Sequence, residues 1–172
     1  MPRSFDMSTD YVVTVEEVFL AFGDEQYWLA RLADSGADDT TLESMQLGGP
    51  SGDDGTIDVV TTQVLRPDRL PGIVTQFHRG DLRIRREEQW EPITDGTATA
   101  TLKGSILDSP ASLTGTATLE PVDGGARLKV RATVEVRIPL VGGKLENFIG
   151  SQLVELLIRE QRFTTTWIGE TA

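Results

Sequence analysis

Cysteine is absent from this chain of 172 residues, and histidine occurs once, as His78. The first absence excludes disulfides, thiolate catalysis and cysteine-ligated metal, and the second excludes a multi-histidine metal site. Positive charge is also scarce, with 16 Lys and Arg against 27 Asp and Glu and a net charge of -11. Nucleic-acid backbones and anionic bilayers both call for a basic surface, so neither is an expected partner. No apolar run approaches the roughly 18 residues of a membrane span. Met1-Pro2-Arg3-Ser4-Phe5-Asp6 lacks the apolar stretch of a secretory signal. The expectation is a cytoplasmic protein without stable membrane insertion.

Familiar catalytic signatures are missing as well. There is no Gly-x-Ser-x-Gly elbow and no Gly-x-Gly-x-x-Gly fingerprint, and Gly48-Gly49-Pro50-Ser51-Gly52 lacks the lysine of a phosphate-binding loop. Asp53-Asp54-Gly55 lacks the ligand spacing of an EF-hand. A Ser-His-Asp triad would have to use His78, which sits in Phe77-His78-Arg79-Gly80-Asp81 and reads as a surface residue. No cofactor is expected, and no residue is assigned as catalytic.

What is present is an ordinary folding composition, 38% hydrophobic and 25% charged, at a length that suits one domain over residues 1–172. Excess acid falls in turns such as Asp38-Asp39 and Asp123, where it is solvated. Alternation makes Arg3–Val13 a strand, with Phe5, Met7, Thr9 and Tyr11 on one side. Thr14 followed by Glu16-Glu17 is a helix start, and two short helices are expected over 15–22 and 24–34.

From Thr40 the period changes to two. Strands are expected over 41–47 and 56–66, joined by the turn-rich stretch 48–55. Two hairpins then follow, 82–93 with 97–107 around Asp95-Gly96, and 111–122 with 126–138 around Asp123-Gly124-Gly125. The stretch Pro67–His78 is too long for a plain turn, and a short helix bearing Ile73, Val74 and Phe77 over one end of the sheet is expected. A long amphipathic helix over 143–168 closes the chain. It needs a partner for its apolar face, and a curved antiparallel sheet is the partner large enough.

This order of elements resembles the helix-grip fold of the START-like (SRPBCC) superfamily, an α+β fold with about seven antiparallel strands wrapped around a long C-terminal helix. Glu88-Gln89-Trp90, the preceding Leu70-Pro71, and Ile138-Pro139-Leu140-Val141-Gly142-Gly143 make the chain similar to an uncharacterised actinobacterial family in that group. The resemblance implies a hydrophobic cavity under the long helix. It also implies a ligand such as a lipid or a polyketide-like compound, although some members of the superfamily catalyse cyclisation.

Residues for such a site follow from two periodicities. On a wheel of about 100° per residue, Leu145, Ile149, Leu153, Leu156, Phe163 and Trp167 share one stripe, and Glu160 falls inside it. An unpaired carboxylate there is expensive to bury. Glu160 therefore either faces a ligand or makes a structural ion pair. In the strand 82–93, Leu82, Ile84, Arg86, Glu88 and Trp90 share the more apolar, inward side. Arg86 and Glu88 then either reach water at a sheet end or join Glu160 in a polar patch inside the chamber.

Small residues at Ala98, Ala100, Gly104, Gly115 and Ala117 favour unfilled volume, or else close helix-on-sheet packing. The expected ligand contacts are Phe77, Ile84, Arg86, Glu88, Trp90, Leu102, Leu153, Leu156, Glu160 and Phe163. A carrier or sensor of a hydrophobic small molecule is the leading expectation. A cyclase or hydratase using Glu160 or Glu88 as acid or base, with Arg86 polarising a carbonyl, is the alternative. A protein-interaction module is the third reading, and the oligomeric state stays open.

Overall fold

In the computed structural model, which describes residues 2–48 and 54–171, seven strands form one antiparallel sheet. They are β1 (Arg3–Tyr11), β2 (Asp39–Leu47), β3 (Ile57–Leu65), β4 (Leu82–Trp90), β5 (Ala98–Ile106), β6 (Ala111–Val122) and β7 (Gly125–Val136). Their order is β1-β7-β6-β5-β4-β3-β2, so β1 and β2 are the two edges. The chain crosses from one edge to the other through α1 (Val15–Phe22) and α2 (Glu25–Asp34). A long helix, α4 (Gly142–Thr171), completes the helix-grip arrangement. Most of the turn expected over 48–55 lies outside the described residues. Within it, Asp54 accepts hydrogen bonds from the Thr56 amide and hydroxyl, a local turn.

Local chemistry accounts for the elements around the sheet. Thr14 and Glu17 form a reciprocal capping box at the start of α1, with each side chain accepting the other's backbone N–H at 3.1–3.2 Å. Asp24 caps α2 by accepting the Gln26 amide. Asp95 and Gly96 both take positive φ, 54° and 80°, which is the geometry that favours Asp-Gly in a tight hairpin. The two short helices bury Val18, Phe22, Tyr27 and Trp28, and the Phe22 ring stands 5.1 Å from Trp90 of β4. An aromatic core therefore fills one end of the sheet.

The long helix is rotated from the orientation its apolar stripe suggests. Its most deeply buried positions include Glu146, Gly150, Thr164 and Ile168, each one step of about 100° round from Leu145, Ile149, Phe163 and Trp167. The physical reason is that α4 has two partners. One side packs on β1 and β7, where a Cβ at Gly150 would run into the Phe5 ring. The stripe itself lies beside that contact and is only partly buried, apart from Leu145. Among the described residues, no helix is long and apolar enough to cross a membrane.

Between β3 and β4 the chain makes a 3-10 turn, Pro67–Arg69, and a one-turn helix, α3 (Gly72–Thr75). Ile73 and Val74 ride on α3 and Phe77 follows it. Ile73 packs with the cluster that includes Ile149 and Leu153 of α4. This segment bridges the sheet and the helix at the end away from the aromatic core.

Candidate functional site

A cavity of about 710 Å³ lies between the inner face of the sheet and α4, with the β3–β4 segment along its border. Its size falls in the usual range for small-molecule pockets. Nine residues expected at the site line it: Phe77, Ile84, Arg86, Glu88, Trp90, Leu102, Leu153, Leu156 and Glu160. Phe163 does not. Its ring packs 5.8 Å from Tyr27 and stacks on Trp167, and it borders a separate surface depression with Ile158 and Arg162. The wheel puts Phe163 at the edge of the stripe. Thr164, the next residue along α4, still lines the cavity, so the miss lies in direction: the Phe163 ring is taken up by Tyr27 and Trp167.

Two more expectations change. Gly115 is small because a Cβ there would sit 2.6 Å from the Arg131 carbonyl oxygen, so the close approach of β7 demands it and no cavity volume is involved. His78 is half-buried and lines the cavity, with Nε2 2.9 Å from the Asp81 carbonyl oxygen, instead of standing on the open surface.

Arg86, Glu88 and Glu160 do come together, and a fourth residue joins them. Arg86 grips Glu160 with both terminal nitrogens, at 2.7 and 3.3 Å. Arg31 of α2 meets the other side of the same carboxylate at 2.6 Å. Both guanidiniums also stand 3.6 Å from Glu88, which accepts a 3.4 Å hydrogen bond from the Trp90 indole. The Arg31 guanidinium lies 4.7 Å over the Trp28 ring.

A hydroxyl chain extends the network. Arg31 donates to the Tyr27 hydroxyl at 3.4 Å. Thr164 donates to the Glu160 carbonyl, so Tyr27 donates to Thr164 across 2.6 Å. The result is a mostly buried four-residue ion cluster whose two positive and two negative side chains compensate one another.

The charges fix each other's protonation. Burial pushes the Glu160 carboxyl up, but Arg31 and then Arg86 outweigh it and hold the group at about 2. Burial alone would pull Arg31 and Arg86 down, yet Glu160 first among their neighbours keeps both raised and charged. The buried Tyr27 and Tyr11 phenols are pushed up, chiefly by burial, and stay protonated.

Among the cavity-lining residues that the candidate list omits, Arg31 and Tyr11 are the two that bear on the polar cluster. A signal for Arg31 exists: it lies four residues after Tyr27 and three after Trp28, on the buried side of α2. Tyr11 ends the inward side of β1 and lines the cavity beside the cluster.

Comparison with known proteins agrees with this architecture. A family model described as protein of unknown function (DUF2505) matches residues 6–168. The uncharacterised protein Rv0481c of Mycobacterium tuberculosis is 58% identical over 170 residues, covering 98% of each chain. Among solved structures, TTHA0849 from Thermus thermophilus superposes with a TM-score of 0.63 at 13% identity, covering 99% of both chains. The ZhuI aromatase/cyclase from a Streptomyces species superposes at 0.54 and 8% identity, covering 99% of this chain and 93% of its own. At such identities, the likeness to these two structures concerns the fold alone.

Proposed function

This chain belongs to the DUF2505 family, and we propose that it reversibly binds a hydrophobic small molecule in the cavity. The protein then acts as a carrier or sensor, with residues 1–172 working as a single START-like domain. The observation that carries this reading is the cavity of about 710 Å³, walled by apolar side chains around one compensated ion cluster. Burial of a guest's apolar surface supplies affinity at about 25 cal/mol per Å². The polar cluster sets orientation, and the segment carrying Leu70, Val74 and Phe77 serves as a lid.

Electrostatics favour binding over acid–base catalysis. A carboxyl held at about 2 has no proton to donate near neutrality, and with two guanidiniums on it Glu160 is a weak base. Glu160 is better suited to holding the cavity in shape than to moving protons.

Native mass spectrometry of the protein purified from a mycobacterial host tests the proposal. The expected result is a non-covalent adduct of defined mass that organic extraction releases unchanged. A protein that carries nothing and fails to take up an uncharged apolar dye such as Nile red overturns it.

A further inference from the structure

We infer, building on the cavity-binding reading above, that the site selects a guest with a neutral oxygen head group, an alcohol or a carbonyl, seated on the Tyr11 hydroxyl, and rejects a carboxylate. Charge balance is the first observation. Arg31 and Arg86 face Glu88 and Glu160 at 2.6–3.6 Å, so neither guanidinium remains uncompensated to receive an anion. Of the other basic side chains around the cavity, Arg69, Lys103 and Arg159 are exposed at its border, and the half-buried His78 ring is engaged by the Asp81 carbonyl at 2.9 Å. Arg69 pairs with Asp38, and Arg159 with Asp34. A guest carboxylate beside the inner cluster is an unmatched negative charge in a poorly solvated site, which is costly.

Tyr11 is the second, independent observation. It is only 4% exposed and lines the cavity, yet its hydroxyl makes no hydrogen bond among the described residues. The neighbouring Tyr27 hydroxyl, in contrast, is engaged by Thr164 and Arg31. Nor is the Tyr11 hydroxyl sealed in protein. Among the described residues, the fully enclosed side-chain polar atom without a hydrogen-bond partner is Glu146 Oε1 instead. The Tyr11 hydroxyl therefore opens on the cavity. Burial, then the neighbouring Tyr27, Glu160 and Glu88, keep the phenol protonated against the opposing pull of Arg31. A neutral phenol both donates and accepts, so it matches an alcohol or a carbonyl without adding charge.

Displacement of bound Nile red by 1-dodecanol and by dodecanoate, at about pH 7.5 where carboxylic acids are ionised, separates the possibilities. The expected result is that dodecanol competes at least about tenfold better than dodecanoate in the wild type. Tyr11→Phe, with its fold checked by circular dichroism, should weaken dodecanol by about five- to tenfold. Glu160→Gln leaves the cluster with an excess positive charge and should improve dodecanoate relative to dodecanol. Dye uptake with dodecanoate equal or better in the wild type, or with displacement by neither compound, overturns the head-group inference alone. A folded wild type that takes up neither dye nor dodecyl compounds overturns the cavity reading with it. Should Glu160→Gln fail to fold, the wild-type preference and Tyr11→Phe still decide.

Discussion

Arg31 Nη2 and Glu160 Oε1 lie 2.6 Å apart and join α2 to α4 beside the cavity, with only 11% and 18% of the two side chains exposed. Removing one partner leaves an uncompensated buried charge, whereas removing both takes out an opposite pair together. Arg31→Met and Glu160→Gln should each destabilise the fold by about 2 kcal/mol or more. The double variant should lose clearly less than the sum of the two. Urea unfolding of the four proteins reads this coupling, and strict additivity would show that the pair contributes nothing of its own.

Acid should dissolve the same contact. Glu160 is held at about 2 in the folded protein, against an ordinary value of 4.5, by Arg31 and Arg86 acting against burial. The unfolded chain takes up this proton first as pH falls. The stabilisation is therefore complete above about pH 4.5 and is lost between there and about pH 2. At about 1.4 kcal/mol per pH unit, the loss is on the order of 3 kcal/mol. Carboxylates outside the cluster cancel between wild type and Glu160→Gln, so the difference between the two unfolding free energies reports on the Arg31–Arg86–Glu88–Glu160 site. That difference should stay level down to about pH 5 and then shrink to about pH 2.5, and a constant gap throughout would contradict the assignment.

Which of these residues the sequence makes legible depends on the range of the relationship. Strand alternation carries one binary choice, and the apolar members Leu82, Ile84 and Trp90 decide it for Arg86 and Glu88 as well. The helix wheel brings Glu160 to the same chamber. Arg31 is harder to read because its inward position depends on how α2 docks, although its spacing from Tyr27 and Trp28 hints at it. Phe163 shows the limit of the wheel, which places a side chain at the edge of a stripe without saying that Tyr27 and Trp167 will take it up. Glu146 is beyond such reading altogether, since its partner Val136 N–H is fixed only once α4 settles on β7.

Glu146 should act as the latch at that junction. Its side chain is fully buried, and Oε2 accepts the Val136 N–H at 2.9 Å while Arg3 stands 3.7 Å from Oε1. Glu146→Ala strands a buried backbone donor and should cost about 1–3 kcal/mol. Glu146→Gln, which can still accept that N–H, should cost less. Amide hydrogen exchange provides the specific readout: Val136 should lose protection in the alanine variant and keep most of it in the glutamine variant. Unchanged exchange in both would mean that the carboxylate holds nothing.

Filling the cavity from β5 tests where a guest sits. Gly104 lines the cavity and pairs with Arg86 across the sheet. A Cβ at Gly104 would meet Leu113 and the Arg85 carbonyl at ordinary distances of 3.5 and 3.9 Å. Its backbone has no positive φ, so Gly104→Leu should fold, and the reduced freedom of the unfolded chain helps by up to about 1 kcal/mol. The new side chain projects into the chamber and should lower Nile red affinity by about tenfold, a loss of about 1.4 kcal/mol. If affinity is unchanged in a folded variant, the guest lies elsewhere, and the depression of about 570 Å³ beside Phe163 and Ile158 becomes the site to probe. Ile158→Asp then discriminates: it should leave dye binding intact if the cavity is the site and abolish it if the depression is.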